Sequence, residues 1–332
     1  MDVSQLVSIV IPVFNEEDAI APFLKAMAQL DGDVRTRFAG NVGLEIVFVD
    51  DGSTDATLAA IRSRIGGDLE IRAIELSRNF GKEAALTAGL AEAAGQAVIP
   101  IDVDLQDPPG LIGDMIAFWL DGAKVVLARR TDRSEDGAMK RRTAGWFYAF
   151  HNMISDIRIP ANVGDFRLMD REVVNAVNQL PESRRFMKGI FAWVGYEPVY
   201  VDYARQPRSA GASKFSGWKL WRFAVEGITS FSEVPLMIWT YVGFVIALLS
   251  MIYASFIVLR TVVFGIDVPG YASLLTGILF LGGIQILGIG IIGEYIGRIY
   301  AEVKRRPTYV IAARHARPAA APAPAKTRTK AR

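Results

Sequence analysis

The chain reads Ile101-Asp102-Val103-Asp104-Leu105-Gln106-Asp107-Pro108-Pro109 at the point where an apolar run ends. If the strand continued, the carboxylates of Asp102 and Asp104 would point to opposite faces, but a turn begun at Asp107-Pro108 lets the loop converge on one hard cation. The alternative is a solvated turn in which Asp107 caps a helix that starts at Pro108. The stretch alone leaves both interpretations open, so the surrounding sequence has to decide.

The composition indicates a globular part followed by a membrane part. Of the 332 residues, 51% are hydrophobic, which is more than a soluble enzyme usually carries, and the excess lies after residue 234. The net charge of +2 is too small to predict nucleic-acid binding. The absence of cysteine excludes disulfides and thiolate metal sites, and the two histidines, His151 and His315, leave little room for a histidine-based triad or zinc site. Because the N-terminus lacks a basic region before a long apolar core, we expect no cleaved signal peptide.

Short apolar runs alternate with helical patterns over the first 130 residues. Helices are predicted at 16–30, at 55–65 with Ser53 or Thr54 as the N-cap, and at 82–94. This order predicts an α/β fold with an open, doubly wound sheet, in which ligands bind beyond the carboxyl ends of the strands. Because the loops after residues 12, 50 and 101 are acidic, we expect all three along that edge. The predicted strands are 7–14, 44–50, 71–76, 97–102 and 124–128.

Three of these strand ends carry motifs that resemble those of the family 2 glycosyltransferases of GT-A fold. The resemblance narrows to the polyprenyl-phosphate glycosyltransferases, which include bactoprenol glucosyltransferases and dolichyl-phosphate mannose synthases, and it covers residues 5–310. It implies a GT-A mixed sheet followed by interfacial helices and two transmembrane helices. The three motifs are Ile-Pro-Val-Phe-Asn-Glu-Glu at 11–17, Val-Asp-Asp-Gly-Ser-Thr-Asp at 49–55 and Asp-Val-Asp-Leu-Gln-Asp-Pro-Pro at 102–109, and the narrowing rests on 79–82, 164–169 and 208–215.

By this resemblance, the first two motifs line a nucleotide pocket, whose carboxylates accept hydrogen bonds from the base and ribose. Asp51 also belongs to a turn and capping sequence, so a structural role stays open for it, as it does for Asp55. The residues that the resemblance assigns to the nucleotide are Pro12, Phe14, Glu16, Asp50 and Asp51.

The resemblance also implies a divalent metal at the opening motif. Asp102, Asp104 and Gln106 are similar to the family's ligands for Mg²⁺ or Mn²⁺, which is held against the diphosphate of a nucleotide-sugar that Asp102 also contacts. Oxygen ligands together with phosphate oxygens suit Mg²⁺. The metal then acts as a Lewis acid on the leaving nucleoside diphosphate, which gives Asp104 a catalytic role.

Asp165 stands where the family has its catalytic carboxylate for an inverting displacement. A lipid phosphate has a second pKa of about 6 and is largely dianionic without help. We therefore hypothesise that Asp165 orients the acceptor or shares the metal, with proton removal secondary; a surface-loop aspartate is the alternative. Arg208, Ser213 and Lys214 resemble the family's acceptor-phosphate loop, and Arg129 and Arg130 end the fifth strand nearby; a solvated basic loop is the alternative.

The rest of the chain predicts contact with a membrane. Segments 140–157 and 215–231 have amphipathic patterns suited to the headgroup interface, although core helices would show the same pattern. Apolar stretches at 235–263 and 271–292 are long enough to span a bilayer. The basic residues that follow them, Lys304, Arg305 and Arg306, predict that both termini lie on the cytoplasmic side of a bacterial inner membrane. Glycines in the second stretch allow close packing, so we expect a homo-oligomer, specifically a tetramer as in similar proteins.

These patterns divide the chain into a catalytic region (1–230), a two-helix membrane region (234–303) and a basic tail (304–332) that we expect to be disordered from Ala312. The predicted reaction moves one sugar from a nucleotide-sugar to polyprenyl phosphate, with UDP-glucose and undecaprenyl phosphate preferred on family likeness alone. A processive polysaccharide synthase is disfavoured because Gln-x-x-Arg-Trp is missing, with 184–187 its nearest approach. An inactive membrane scaffold is disfavoured because all acidic motifs are intact.

Overall fold

The computed structural model describes residues 4–131, 160, 163–183, 185–203, 234–265 and 270–317. The strands are β1 Gln5–Val13, β2 Val42–Asp50, β3 Glu70–Leu76, β4 Ala97–Pro100, β5 Val125–Arg130, β6 Val163–Asp170, β7 Pro198–Tyr203 and β8 Ile311–His315. The helices are α1 Glu17–Arg37, α2 Thr57–Arg62, α3 Lys82–Glu92, α4 Leu111–Leu120, α5 Arg171–Gln179, α6 Met187–Trp193, α7 Val234–Phe264 and α8 Tyr271–Val303.

The strands form one mixed sheet in the order β7-β5-β6-β4-β1-β2-β3-β8. All five strands predicted from the sequence are present, and β4, β1, β2 and β3 are parallel neighbours. The carboxyl ends of these strands therefore share one edge, as predicted. Strand β6 was not predicted: it runs antiparallel between β4 and β5 and carries Asp165 to the same edge. Asp165 is thus part of a strand and not of a surface loop.

Two apolar layers hold the helices on the sheet. One layer packs α1 and α4 against one face, and the other packs α3, α5 and α6 against the opposite face. Helix α3 lies especially close because its inward side chains are small: a Cβ added at Gly89 would come within 2.2 Å of Val10 Cγ1. This contact fixes the height of α3 over β1, and with it the position of Lys82 at the helix start.

Two local boundaries differ from the prediction. Strand β4 ends at Pro100, so Asp102 lies in the following turn. Helix α2 begins after Ala56, and neither Ser53 nor Thr54 caps it, because both bond to the loop after β1. The strand boundary affects the site because it frees the Asp102 carboxylate from the alternation of a strand.

The segment after α8 returns to the sheet, and the prediction of disorder from Ala312 was wrong over residues 312–315, which belong to the strand Ile311–His315. These residues form β8, which pairs antiparallel with β3. The Arg314 guanidinium makes two bonds to the Glu92 carboxylate, at 2.8 and 2.7 Å, and His315 Nε2 lies 2.9 Å from Glu75 Oε2. Composition suggested a tail, but backbone pairing along an open sheet edge stabilises the segment.

Helices α7 and α8 are each long and apolar enough to cross a membrane, over Tyr241–Phe264 and Phe280–Val303. Helix α8 runs eleven residues beyond the predicted end at Ile292, through the Glu294–Arg298 ion pair of 3.2 Å. The two helices touch where Trp239 lies over Gly288, since a Cβ there would fall 1.9 Å from Trp239 Nε1. The predicted interfacial segments 140–157 and 215–231 lie outside the described residues.

Candidate active site

The loops after β1 and β2 are bonded to each other by side-chain to backbone contacts. Ser53 Oγ accepts from Asn15 N at 3.0 Å, and Asn15 Oδ1 accepts from Thr54 N at 2.8 Å. Thr57 Oγ1 accepts from Glu16 N at 2.8 Å. These bonds hold the first two acidic motifs side by side, with Pro12 half-buried and Phe14 and Glu16 exposed at the sheet edge. Their contact with a nucleotide stays a prediction.

Asp50 and Asp51 are both buried at the end of β2, yet they have different partners. Burial raises the pKa of Asp50 despite hydrogen bonds from Ser53, whose backbone N lies 3.2 Å from Oδ2. Asp51 accepts from the backbone N–H groups of Phe80 and Gly81 at 2.7 and 2.9 Å. Asp51 therefore fixes the loop that leads into α3, which is the structural role left open above.

Gly52 makes this arrangement possible. Its φ is +71°, and a Cβ at this position would lie 2.6 Å from the backbone carbon of Arg78. No other residue fits without moving the loop 78–81. The loop after β2 and the loop before α3 are thus packed backbone against backbone, which places Lys82 at the sheet edge.

Lys82 is the residue on which the site converges. Its Nζ lies 2.6 Å from Asp102 Oδ1 and 3.0 Å from Asp165 Oδ2, so it joins the metal-motif carboxylate to the predicted catalytic carboxylate. Lys82 was not predicted as a site residue, although it belongs to the motif at 79–82 that carries part of the family resemblance. A lysine at the first position of a helix, directly after a glycine at the sheet edge, was the available signal.

The charges around Asp165 keep it ionised. Burial alone would raise the pKa of Asp165, but the ammonium groups of Lys82 and Lys188, with Arg167 beyond, outweigh burial and lower the pKa to about 2. Loss of hydration opposes the charge on Lys82, yet Asp165 and Asp102 raise the pKa of that ammonium. With a pKa of about 2, Asp165 is a weak base at neutral pH.

Two more charged groups support this cluster. Arg167 is buried, donates from Nη2 to Gly164 O at 2.8 Å and stacks 4.3 Å from the Phe191 ring centre. Glu83 accepts from Met187 N at 3.3 Å, and burial together with the negative charge of Asp165 raises its pKa to about 7. Neither was predicted, because the contacts of Arg167 with Phe191 and of Glu83 with Met187 both reach another element, α6.

The loop after β4 turns as predicted, but Asp107 is not a helix cap. Helix α4 begins after Gly110 without a side-chain cap, and the buried Asp107 carboxylate accepts a hydrogen bond from the Tyr203 hydroxyl. Arg130 Nη2 lies 3.6 Å from Asp107 Oδ1 and Arg130 Nε donates to the Tyr203 hydroxyl at 3.0 Å. Asp107 thereby ties the acidic loop to the end of β7.

Asp102, Asp104 and Gln106 offer oxygen atoms suited to Mg²⁺ or Mn²⁺. Asp104 Oδ1 accepts from Gln106 N at 3.2 Å, within a turn in which Leu105 has φ of +56°. Within the described part of the chain, no group of three or more carboxylate, histidine or cysteine side chains is placed to hold a metal. Binding of Mg²⁺ or Mn²⁺ by these two carboxylates and one amide, with phosphate oxygens of a substrate completing the shell, stays a prediction.

The basic residues of the prediction are distributed differently. Arg129 makes a bidentate ion pair with Asp202, at 2.7 and 2.9 Å, and lies 4.9 Å from the Tyr200 ring centre. The structure thus brings Arg130, and not Arg129, to the acidic loop. Arg208, Ser213 and Lys214 lie outside the described residues.

Comparison with known proteins identifies the family of the chain. Residues 8–177 match glycosyl transferase family 2, and residues 234–299 match the GtrB C-terminal hairpin. The SfII prophage-derived bactoprenol glucosyl transferase of Shigella flexneri is 53% identical over 93% of this chain and 98% of its own length. The prophage bactoprenol glucosyl transferase homolog of Escherichia coli (strain K12) is 53% identical over 92% of this chain and 98% of its own.

Among solved structures, the mannosyltransferase PcManGT from Pyrobaculum calidifontis in complex with GDP-Man and Mn²⁺ is similar over 92% of this chain and 89% of that chain, with a TM-score of 0.44 and 19% identity. The family match covers half of the chain, and the 53% identity extends over nearly all of it. The chain therefore belongs to glycosyltransferase family 2, as a GT-A enzyme that carries the GtrB C-terminal hairpin.

Proposed function

We propose that the protein transfers one sugar from a nucleotide-sugar to polyprenyl phosphate at the cytoplasmic face of the bacterial inner membrane. The observation that carries this proposal is the meeting of Asp102 and Asp165 at Lys82, in a chain that also carries two long apolar helices after the catalytic region. The relatives named bactoprenol glucosyl transferases support a lipid acceptor and a glucosyl donor. UDP-glucose and undecaprenyl phosphate are the pair that we propose.

The donor lies over the carboxyl ends of β1, β2 and β4. Pro12, Phe14, Glu16 and Asp50 contact the nucleoside, since they stand together at this edge. Asp102, Asp104 and Gln106 hold Mg²⁺ or Mn²⁺, which supplies Lewis-acid neutralisation of the leaving diphosphate. With an ion held there, Asp102 would serve both that ion and Lys82, so the Lys82 ammonium would be held less tightly and could neutralise a phosphate oxygen.

Asp165 orients the acceptor and does not take up its proton. The acceptor oxygen forms a bond to the anomeric carbon while the bond from that carbon to the diphosphate breaks, which inverts the configuration. A lipid phosphate is largely dianionic at neutral pH, and the Asp165 carboxylate, with a pKa of about 2, is a weaker base than the phosphate itself. Ionised Asp165 instead keeps Lys82 and Lys188 in place beside the reacting groups.

The acceptor phosphate requires further cations, and Arg208, Ser213 and Lys214 supply them by family likeness. Arg129 contributes less than the prediction assumed, because Asp202 already neutralises it.

The position of β8 supports a topology in which both ends of the α7–α8 hairpin lie on the same side of the membrane. The chain passes through α7 and α8 and then pairs with β3 of the catalytic sheet. The positive residues after α8 favour the cytoplasm as that side.

Association into a homo-oligomer, with a tetramer as the specific expectation, is part of the same proposal.

The test is a transfer assay with the full-length protein in liposomes that contain undecaprenyl phosphate. Radiolabelled UDP-glucose and GDP-mannose are supplied separately, with and without EDTA. We expect a lipid-linked monosaccharide from UDP-glucose that EDTA abolishes and added Mg²⁺ or Mn²⁺ restores. A polymeric product would instead establish a synthase, and the absence of product from either donor would support an inactive scaffold.

A further inference from the structure

A second polar cleft lies away from the active site, where α8 leaves the candidate span. It has a volume of about 720 Å³ and lies between α3, α5 and the segment that follows α8. Arg185, Arg305 and Arg306 line it, together with the carboxylates of Glu182 and Glu302. Nothing in the proposed reaction uses this cleft.

The cleft has a positive excess. Glu302 is engaged by Ser183, whose backbone N lies 2.9 Å from Oε1 and whose Oγ lies 3.0 Å from Oε2, so this carboxylate is a structural link between α8 and the catalytic region. Glu182 offsets the charge of Arg185, and its Oε2 is also buried without a hydrogen-bond partner among the described residues, so the positive excess comes from Arg305 and Arg306. Across the described residues, no carboxylate lies within ion-pair distance of the exposed Arg305 and Arg306 side chains.

Arg185 adds a buried donor to this excess. Its Nη2 donates to Val177 O, while its Nε is buried without a hydrogen-bond partner among the described residues. A guanidinium that is only partly satisfied in this way favours an anion with several oxygens. Segment 184–187 was considered above only as a failed match to a synthase motif, and the cleft gives Arg185 a different use.

The backbone of Arg305 points to a role for its charge. Helix α8 ends at Val303, and Arg305 has φ of +48°, a conformation in which glycine is the favoured residue after a helix. The chain thus holds an arginine in a strained position at the turn that directs it into the cleft. A purely structural turn at this site would be served better by glycine.

The location indicates the source of the anion. The candidate span Phe280–Val303 ends two residues before Arg305, so Arg305 and Arg306 lie at the level of the phospholipid headgroups. Anionic headgroups concentrate at this surface and attract arginine side chains. We infer that the cleft binds the phosphate headgroup of an anionic phospholipid, which holds the junction between α8 and the catalytic region at the membrane surface.

The experiment measures lipid binding to the full-length protein in detergent by native mass spectrometry. Phosphatidylglycerol is titrated against phosphatidylcholine, and glycerol phosphate serves as the soluble headgroup. We expect phosphatidylglycerol to bind in preference to phosphatidylcholine, and the double change Arg305→Gly with Arg306→Gln to weaken it roughly tenfold. Because glycine suits the backbone at residue 305, the variant keeps its thermal stability, which separates loss of the site from loss of the fold.

Arg62→Gln with Arg64→Gln is the matched control, since both arginines are exposed and lie on or just after α2, away from the cleft. It removes the same charge and is expected to bind phosphatidylglycerol like the unchanged protein. The inference would be overturned if both double variants bound phosphatidylglycerol like the unchanged protein. It would also be overturned if the control variant lost as much binding as the cleft variant. If glycerol phosphate at the same concentration displaces phosphatidylglycerol, the cleft binds free phosphate and not specifically a lipid, and the inference is overturned.

Discussion

Asp51 and Asp102 occupy equivalent places at the beginning of the loops that follow β2 and β4, yet their partners differ in kind. The Asp51 carboxylate is bonded to two backbone N–H groups, which cannot leave without unfolding the loop. The Asp102 carboxylate faces a lysine side chain, which rotates away at little cost, and it remains 39% exposed. A carboxylate with backbone partners is part of the scaffold, whereas one with a side-chain partner is available for exchange with a ligand.

The largest effect is expected on the exchangeable side of this comparison. Asp104→Ala should lower transfer by about a thousandfold, because it removes an oxygen donor at the leaving diphosphate. The protein should stay folded and membrane-bound, since Asp104 is only partly buried. Transfer is measured with radiolabelled donor, and thermal unfolding in detergent is the control. Retained metal-dependent transfer would contradict the assignment of the loop.

Asp165→Asn should lower transfer by a factor on the order of 10² to 10³, because the cluster of Lys82 and Lys188 loses its counter-charge. The loss should be the same from pH 6 to pH 9, since a group with a pKa of about 2 does not titrate in this range. The measurement is the transfer rate of the variant and of the unchanged protein as a function of pH, at a saturating concentration of donor. Full recovery of the variant at alkaline pH would show that Asp165 acts as a base.

Lys82→Met should lower transfer roughly 10- to 100-fold while leaving the binding of Mn²⁺ without nucleotide unchanged or tighter, because the competing ammonium is gone. Mn²⁺ binding is followed by electron paramagnetic resonance. Lys25→Met, an exposed change on α1, is the control for the loss of a positive charge. Weaker Mn²⁺ binding in the Lys82 variant would mean that the lysine supports the metal loop and does not compete with the ion.

On the scaffold side, Asp51→Ala should lower the free energy of unfolding by about 1 to 3 kcal/mol, because the N–H groups of Phe80 and Gly81 lose their acceptor. Asp102→Ala should change it by less than about 0.5 kcal/mol, as expected for a partly exposed ion pair. Thermal unfolding of the two variants gives the contrast directly. Equal destabilisation would remove the distinction between them.

The last prediction concerns Glu83 and the pH dependence of stability. Its pKa is about 7 in the folded protein against 4.5 when unperturbed, so the folded state binds the extra proton and loses stability as pH rises from about 4.5 to about 7. Glu83→Gln stays neutral and lacks this decline. The melting temperature of the variant minus that of the unchanged protein should increase by roughly a few degrees as the pH is raised from 5 to 8. A constant difference would show that Glu83 is ionised throughout.

The sequence predicted the features that are local to a strand and its loop. The five strands β1 to β5, the acidic loops and their common edge all follow from short apolar runs and turn residues. Strand β6 was missed because Asp165 and Arg167 interrupt its apolar pattern, and their burial is offset by charges from other elements. Lys82 was missed because its partners are 20 and 83 positions away in the chain, at Asp102 and Asp165.

The order of elements along the chain constrains how the protein is made. Strand β8 follows both membrane helices, so β3 remains an open sheet edge during the synthesis of α7 and α8. Open edges are sites of aggregation, and here the edge closes only after the hairpin has been made. Completion of the catalytic sheet is thereby linked to synthesis of the membrane hairpin, and chains that stop before Ile311 would leave the edge uncovered.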